Sequence, residues 1–260
     1  MYPVAFHLGS FSIPSYGLLL VAALLAGMWI VLREAKRLGI SQSVAFDGVM
    51  VVEIAAFIGA HLLYWVAISS PPRAGVAWVR GGAVYYGALA GAIPALVIFA
   101  RRHGIRLTAA LDAAAPAVAL GHGIGRVGCF LAGCCWGRPT DLPWGVVFSD
   151  PRSFAVRGVP LHPSQLYETL LEGALFAWLW RRRLRAHREG SQALIYGAGY
   201  GAGRFLIEFT RGDPGRGTLV PGILSLSQGL SLVLLVVAGS FALLLRRAET
   251  AAGVLRARRS

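Results

Sequence analysis

Apolar residues run in windows of about 20 between clusters of charge, the length a helix needs to cross ~30 Å of hydrocarbon. Seven such windows occur, at 16–32, 47–69, 83–100, 109–136, 164–180, 191–209 and 219–245. They predict an all-α integral membrane protein of about seven transmembrane helices. Two charges interrupt the pattern, Arg126 in the fourth window and Arg204 in the sixth. A bare guanidinium at a helix centre costs roughly 2.5–3.5 kcal/mol on the lenient insertion scale, so both are candidates for function.

Composition agrees with the windows. The chain of 260 residues is 56% hydrophobic and 14% charged, with a mean hydropathy of +0.61, which excludes a disordered chain and an ordinary soluble one. A net charge of +13 raises the class of nucleic-acid binders. The distribution of the 25 basic residues excludes it, because they alternate between the two sides of the predicted spans. One side collects the clusters at Arg33–Arg37, Arg101–Arg106, Arg181–Arg188 and Arg246–Arg259, and the other holds single arginines such as Arg73, Arg138 and Arg157. The positive-inside rule then puts the N-terminus outside and the C-terminus in the cytoplasm. Met1–Ser15 has no basic n-region, and the first apolar run leads to a basic cluster, so no cleavable signal is expected.

The expectation is one polytopic membrane domain over residues 1–260. Its one long outside connection, residues 137–163, is rich in Pro, Gly, Asp and Trp and reads as an extracytoplasmic arm or lid. Depth follows from topology and the helical rise. Arg126 lies ~16 Å and Arg204 ~10 Å below the outer ends of their spans. Polar chemistry gathers in the outer half, with Glu53 as the exception. Tyr200, Arg204, Glu208 and Arg211 stand at i, i+4, i+8 and i+11, which places them on one inward face opposite Arg126. Two or three guanidiniums against one acid leave positive charge over, and their forks match a phosphate, such as a phospholipid headgroup.

Two motifs invite other readings. Gly123-Ile124-Gly125-Arg126-Val127-Gly128 spells G-x-G-x-x-G, but a dinucleotide site needs a strand before it and a helix opening after it. Inside an apolar helix the glycines instead let neighbours approach the backbone. His122 reads as a satisfied polar residue. Cys129, Cys134 and Cys135 lack a second Cys or His pair at ligand spacing, so no metal and no cofactor are expected. A vicinal disulfide, a reactive thiol and simple packing remain open, with packing favoured.

Several blocks together carry a resemblance. They are Tyr16-Gly17, Gly81-Gly82 with Tyr85-Tyr86-Gly87, Gly125-Arg126-x-Gly128-x-Phe130, His162-Pro163-Ser164-Gln165-Leu166-Tyr167-Glu168, Tyr200-x-x-x-Arg204-x-x-x-Glu208-x-x-Arg211 and Leu224-Ser225-x-Ser227-Gln228. The chain resembles the bacterial prolipoprotein diacylglyceryl transferase family, as a divergent member. The resemblance implies transfer of diacylglyceryl from phosphatidylglycerol to the lipobox cysteine of a prolipoprotein, by a monomeric, multi-pass protein of the bacterial cytoplasmic (inner) membrane. It implies Arg126, Arg204, Tyr200, Tyr86 and Glu208 as catalytic residues. Around the substrates it implies Tyr16, Gly125, Gly128, His162, Ser164, Gln165, Glu168 and Arg211.

The departures from the family pattern concern the base and its surroundings. Tyr86 stands where the common pattern has a histidine, and a tyrosine with a pKa near 10 is a poor base unless cations depress it. Cys129, Ala132 and Cys134 stand where the family has two asparagines and an acid. Tyr200, Glu168 and the cysteines are candidates to replace the lost groups. The altered segment keeps a second class open: a non-catalytic paralogue that binds anionic lipid or lipoprotein, or a transferase with another donor or acceptor.

Overall fold

The computed structural model describes residues 2–9, 11–68, 85–185, 188–213, 218–220 and 223–257. Seven α-helices are found among them: α1 Ser15–Arg37, α2 Gln42–Ile68, α3 Tyr85–Arg102, α4 Leu107–Ala132, α5 Ser164–Arg182, α6 Ser191–Ile207 and α7 Leu226–Ala257. Each corresponds to one apolar window. Four of them, α1, α2, α4 and α7, hold stretches long and apolar enough to cross a membrane by themselves. α5 is more polar and buries Ser164, Gln165, Glu168 and Glu172.

The helices carry the fold as expected, with two short hairpins that the all-α reading did not include. Strands β1 (Val4–Leu8) and β2 (Phe11–Pro14) form an antiparallel hairpin ahead of α1, and β3 (Thr218–Val220) and β4 (Leu224–Ser225) form another ahead of α7. The second hairpin explains why α7 begins later than its apolar window. Ser225 Oγ accepts from the Gln228 N–H at 3.1 Å, while Gln228 Oε1 accepts from the Ser225 N–H at 3.1 Å. This reciprocal capping box satisfies two backbone donors and fixes the first turn at Leu226.

Helix ends follow local chemistry. α1 closes with Lys36 and Arg37 in its last turn and α3 with Arg101 and Arg102, each favourable to the helix dipole. Beyond each stands a left-handed glycine, Gly39 (φ 73°) or Gly104 (φ 65°). The next N–H folds back onto the helix, Ile40 to the Ala35 carbonyl at 2.9 Å and Ile105 to that of Ala100 at 2.8 Å. α4 stops at Ala132, short of its apolar window, because Gly133 turns left-handed (φ 77°).

Contacts divide the chain into two compact units, residues 27–114 and residues 1–26 with 115–260. In the first, α2 and α3 meet backbone to backbone: a Cβ on Gly91 would meet the Ala55 carbonyl, and one on Gly87 that of Gly59. In the second, α6 lies against two helices through small residues. Gly197 and Gly201 face Leu234, Leu235 and Ala238 of α7, whereas Gly199 and Gly203 face Leu175 and Leu171 of α5. Ala115, Ala119, Leu175 and Leu179 form the core there, with Tyr196 and Tyr200 packed on it. The segment 137–163 has a core of its own, Phe148, Ala155 and Leu161, joined by Phe130 and Trp136.

Gly91→Ala should destabilise the protein by about 1–3 kcal/mol, because the contact it overfills is backbone and cannot yield. Gly173→Ala, in open space within α5, should gain about 0.5–1 kcal/mol. Thermal unfolding in detergent measures both.

Candidate anion site around Glu168

Helices α4 and α5 face each other through pairs at i, i+4, His122 with Arg126 and Glu168 with Glu172. α6 adds Tyr196, Tyr200 and Arg204, and the 3-10 turn Glu208–Thr210 that continues it adds Glu208. The chain then extends at Arg211 (φ −75°, ψ 143°), so Arg211 is not on the helix face that the i+11 spacing predicts. It reaches the same place by a different route. A backbone bridge to Gly137 and the Arg138 N–H, which donates to the Thr210 carbonyl at 2.8 Å, hold it against the base of the 137–163 segment.

Glu168 is the meeting point, and its side chain has no exposed surface. Its carboxylate lies 2.5 Å from Arg126 Nε, 3.6 Å from Arg204 Nε and 3.5 Å from Arg211 Nη1. Further acids complete the set. Glu208 lies 2.7 Å from Arg204 Nη1, and Asp213 takes both Arg211 Nε and Nη2 at 2.8 Å. Among the described residues, three guanidiniums therefore meet three carboxylates. This corrects the expected surplus of positive charge: helical spacing along α6 sees only Glu208, whereas folding brings in Glu168 from α5 and Asp213 from the extended segment.

A second layer orients the first. His122 Nδ1 sits 2.6 Å from Glu172 Oε1, and Arg126 Nε donates to His122 Nε2 at 3.2 Å. His122 thus bridges the Glu172 carboxylate and the Arg126 guanidinium. Tyr196 donates to Glu172 at 3.3 Å and stacks on Tyr200, whose ring meets His122 edge-on at 5.2 Å. His122, Glu172 and Asp213 are polar groups that sequence patterns did not assign to the site; the i, i+4 pairs on α4 and α5 were the available signal.

The remaining expected residues fall in distinct places. Ser164 and Gln165 are fully buried; Ser164 pairs with Thr210 Oγ1 at 3.1 Å, and Gln165 Nε2 donates to the Cys134 carbonyl at 2.7 Å. Gly128 lies against the half-exposed Tyr16, where a Cβ would come 3.2 Å from the ring. A Cβ on Gly125 would meet open space. His162 pairs with Tyr167 Oη at 3.2 Å, and burial, then the charge of Arg138, hold its pKa below the ordinary histidine value. Tyr86 lies in the first turn of α3, but its side chain, like Gly81 and Gly82, lies outside the described residues. Arg126 keeps 16% of its side chain exposed, and among the described residues its Nε alone is engaged, while Arg204 also donates to Ser227 Oγ at 3.2 Å.

A helical multi-pass membrane protein with a buried arginine–carboxylate cluster is thus defined. The family model described as prolipoprotein diacylglyceryl transferase matches residues 3–245, and the chain belongs to that family. Among similar proteins, one from Clostridium tetani is 35% identical over 243 residues, 91% of this chain and 95% of the relative. One from Methylobacillus flagellatus is 38% identical over 256 residues (93% and 95%), and one from Bordetella avium is 37% identical over 241 (88% and 89%). All three are named phosphatidylglycerol–prolipoprotein diacylglyceryl transferase.

Removing the central carboxylate while keeping its shape isolates its charge. Glu168→Gln should destabilise the protein by about 3–5 kcal/mol, because it leaves buried guanidiniums without their shared partner. Asp150→Asn, at the exposed pair with Arg152, should leave the melting temperature unchanged.

Proposed function

We propose that this chain transfers the sn-1,2-diacylglyceryl group of phosphatidylglycerol to the lipobox cysteine thiol of a prolipoprotein, the first step of bacterial lipoprotein maturation. It is a transferase, and its family membership over nearly the whole chain carries the reaction class. The thiol sulfur attacks the glyceryl carbon that bears the phosphate ester, forming a C–S bond. The C–O bond at that carbon breaks, glycerol-1-phosphate leaves with the electron pair, and the thiol proton passes to a base. Tyr86 occupies the position the family resemblance gives to that base.

One observation carries the site assignment. Arg126 is held through Nε by Glu168 and His122, which leaves its two Nη groups for a phosphate beside the open space at Gly125. A guanidinium fixed at one edge presents two parallel donors, the geometry of bidentate phosphate binding. Charge that grows on the leaving phosphate strengthens this contact in the transition state, which is what accelerates the step. Arg204, which donates to Ser227 and forms ion pairs with Glu168 and Glu208, supports Arg126 by holding Glu168 in place. Glu208 orients Arg204, Arg211 anchors the base of the 137–163 segment, and Tyr200 backs the His122 ring. Tyr16 and Gly128 line the approach of the acyl chains.

The same reading sets the protein in the bacterial inner membrane as a monomer with seven spans, N-terminus outside and C-terminus cytoplasmic. The basic last turns of α1, α3 and α5 support that orientation. Residues 137–163 form a folded extracytoplasmic lid within a single membrane domain, which receives the lipobox region of the precursor.

Labelled phosphatidylglycerol with a lipobox peptide tests the assignment. Arg126→Ala and Arg204→Ala should each lower kcat by roughly 10²–10³-fold. Arg126→Lys, which keeps the charge and loses the fork, should not restore it. Wild-type rates in either alanine variant would overturn these roles.

A further inference from the structure

The three cysteines of the chain, within seven residues of one another in sequence, also converge in space at the end of α4. After Ala132, Gly133 adopts φ 77° and Cys135 adopts φ 61°, the one described residue other than glycine with a positive φ. Such a conformation is costly for a residue with a Cβ and persists only where its surroundings enforce it. Here the enforcement is explicit. The Cys134 N–H donates to the Cys129 carbonyl at 3.1 Å, and the fully buried Gln165 clamps the Cys134 carbonyl at 2.7 Å. The outcome is that the Sγ atoms of Cys129, Cys134 and Cys135 all lie within 4.8 Å of one another. All three thiols are free and partly exposed.

Thiols that only pack need neither a strained backbone nor mutual convergence. Three thiolates around one ion, with metal–sulfur bonds of ~2.3 Å, stand about 4 Å apart, so rotation of the side chains closes this cluster onto a single centre. The electrostatics suit it as well. Arg126 lies one turn before Cys129, so a guanidinium stands near the cluster. Three thiolates on a divalent ion carry one net negative charge, a small load beside a cluster whose guanidiniums and carboxylates are already paired.

We propose that Cys129, Cys134 and Cys135 form a three-thiolate site for one thiophilic divalent ion of the zinc and cadmium class, with a fourth position left to water. Binding releases three thiol protons and forms three metal–sulfur bonds, with no change of oxidation state. Cysteine sulfur selects such soft or borderline ions over magnesium and calcium. The site ties the end of α4 to itself across the turn, so occupancy stabilises the folded chain. It stands independently of the transfer reaction.

Cadmium ion is the probe, added to the full chain purified in detergent under a thiol-free reductant. The expected result is one Cd²⁺ per chain, a thiolate-to-cadmium charge-transfer absorption of three-sulfur intensity, and a raised melting temperature. Each of Cys129→Ser, Cys134→Ser and Cys135→Ser should weaken binding by at least about tenfold. Melting without metal establishes that each variant folds, and where one does not, the wild-type stoichiometry and absorption decide. Absorption of one or two sulfurs, fewer than three titratable thiols in the untreated protein, or unchanged binding by a folded Cys129→Ser would each overturn the proposal.

Discussion

The carboxylate of Glu168 determines where three guanidiniums can sit. Arg126 comes from α4, Arg204 from α6 and Arg211 from the extended chain beyond it, and all three meet at this one carboxylate. Buried charges persist only when paired and hydrogen-bonded. One acid with no exposed surface therefore draws three separate pieces of chain to one point. The fully buried neighbours of Glu168 on α5, Ser164 and Gln165, serve the same end, because they fasten the start of that helix to Thr210 and to the Cys134 carbonyl.

A balanced cluster differs from a bare cationic pocket in what it does to an anion. Unpaired arginines would hold a phosphate strongly in every state of the reaction, and uniform binding adds nothing to the chemical step. Under the proposed transfer, arginines already facing carboxylates would hold the lipid less tightly, with their donors aimed before charge develops. Little reorganisation is then needed as the leaving group becomes more negative. The His122–Glu172 pair contributes to the aim of Arg126 rather than to its charge.

Much of the helical framework was legible in the sequence, because the spacing of apolar windows is set by the thickness of a bilayer. The ends were less so. α4 stops early through a left-handed glycine, and α7 starts late through the Ser225–Gln228 box, both local devices inside apolar stretches. The Tyr200–Arg204–Glu208 face could be read from i, i+4 spacing, and the Arg204–Glu208 contact follows it. The place of Glu168 could not, since it depends on how α5 lies against α4 and α6. For the same reason spacing alone overstates the positive charge, and it carries the helical face on to Arg211 although α6 ends at Ile207. The convergence of the thiols was hidden because it depends on two left-handed residues, one of which is not a glycine.

Helix α6 presents glycines on two faces, Gly197 and Gly201 toward α7 and Gly199 and Gly203 toward α5. Between them the sequence alternates with larger residues: Tyr196, Ala198, Tyr200, Ala202 and Arg204. Screwing the helix forward by one residue, a turn of ~100° with a rise of about 1.5 Å, would bring Cβ atoms to within 3.2 Å of leucine side chains at the places of Gly199, Gly201 and Gly203. The helix is therefore indexed like a toothed rack between its neighbours. Its depth, and with it the height of Arg204, is fixed by the absence of side chains as firmly as the charge cluster is fixed by their presence.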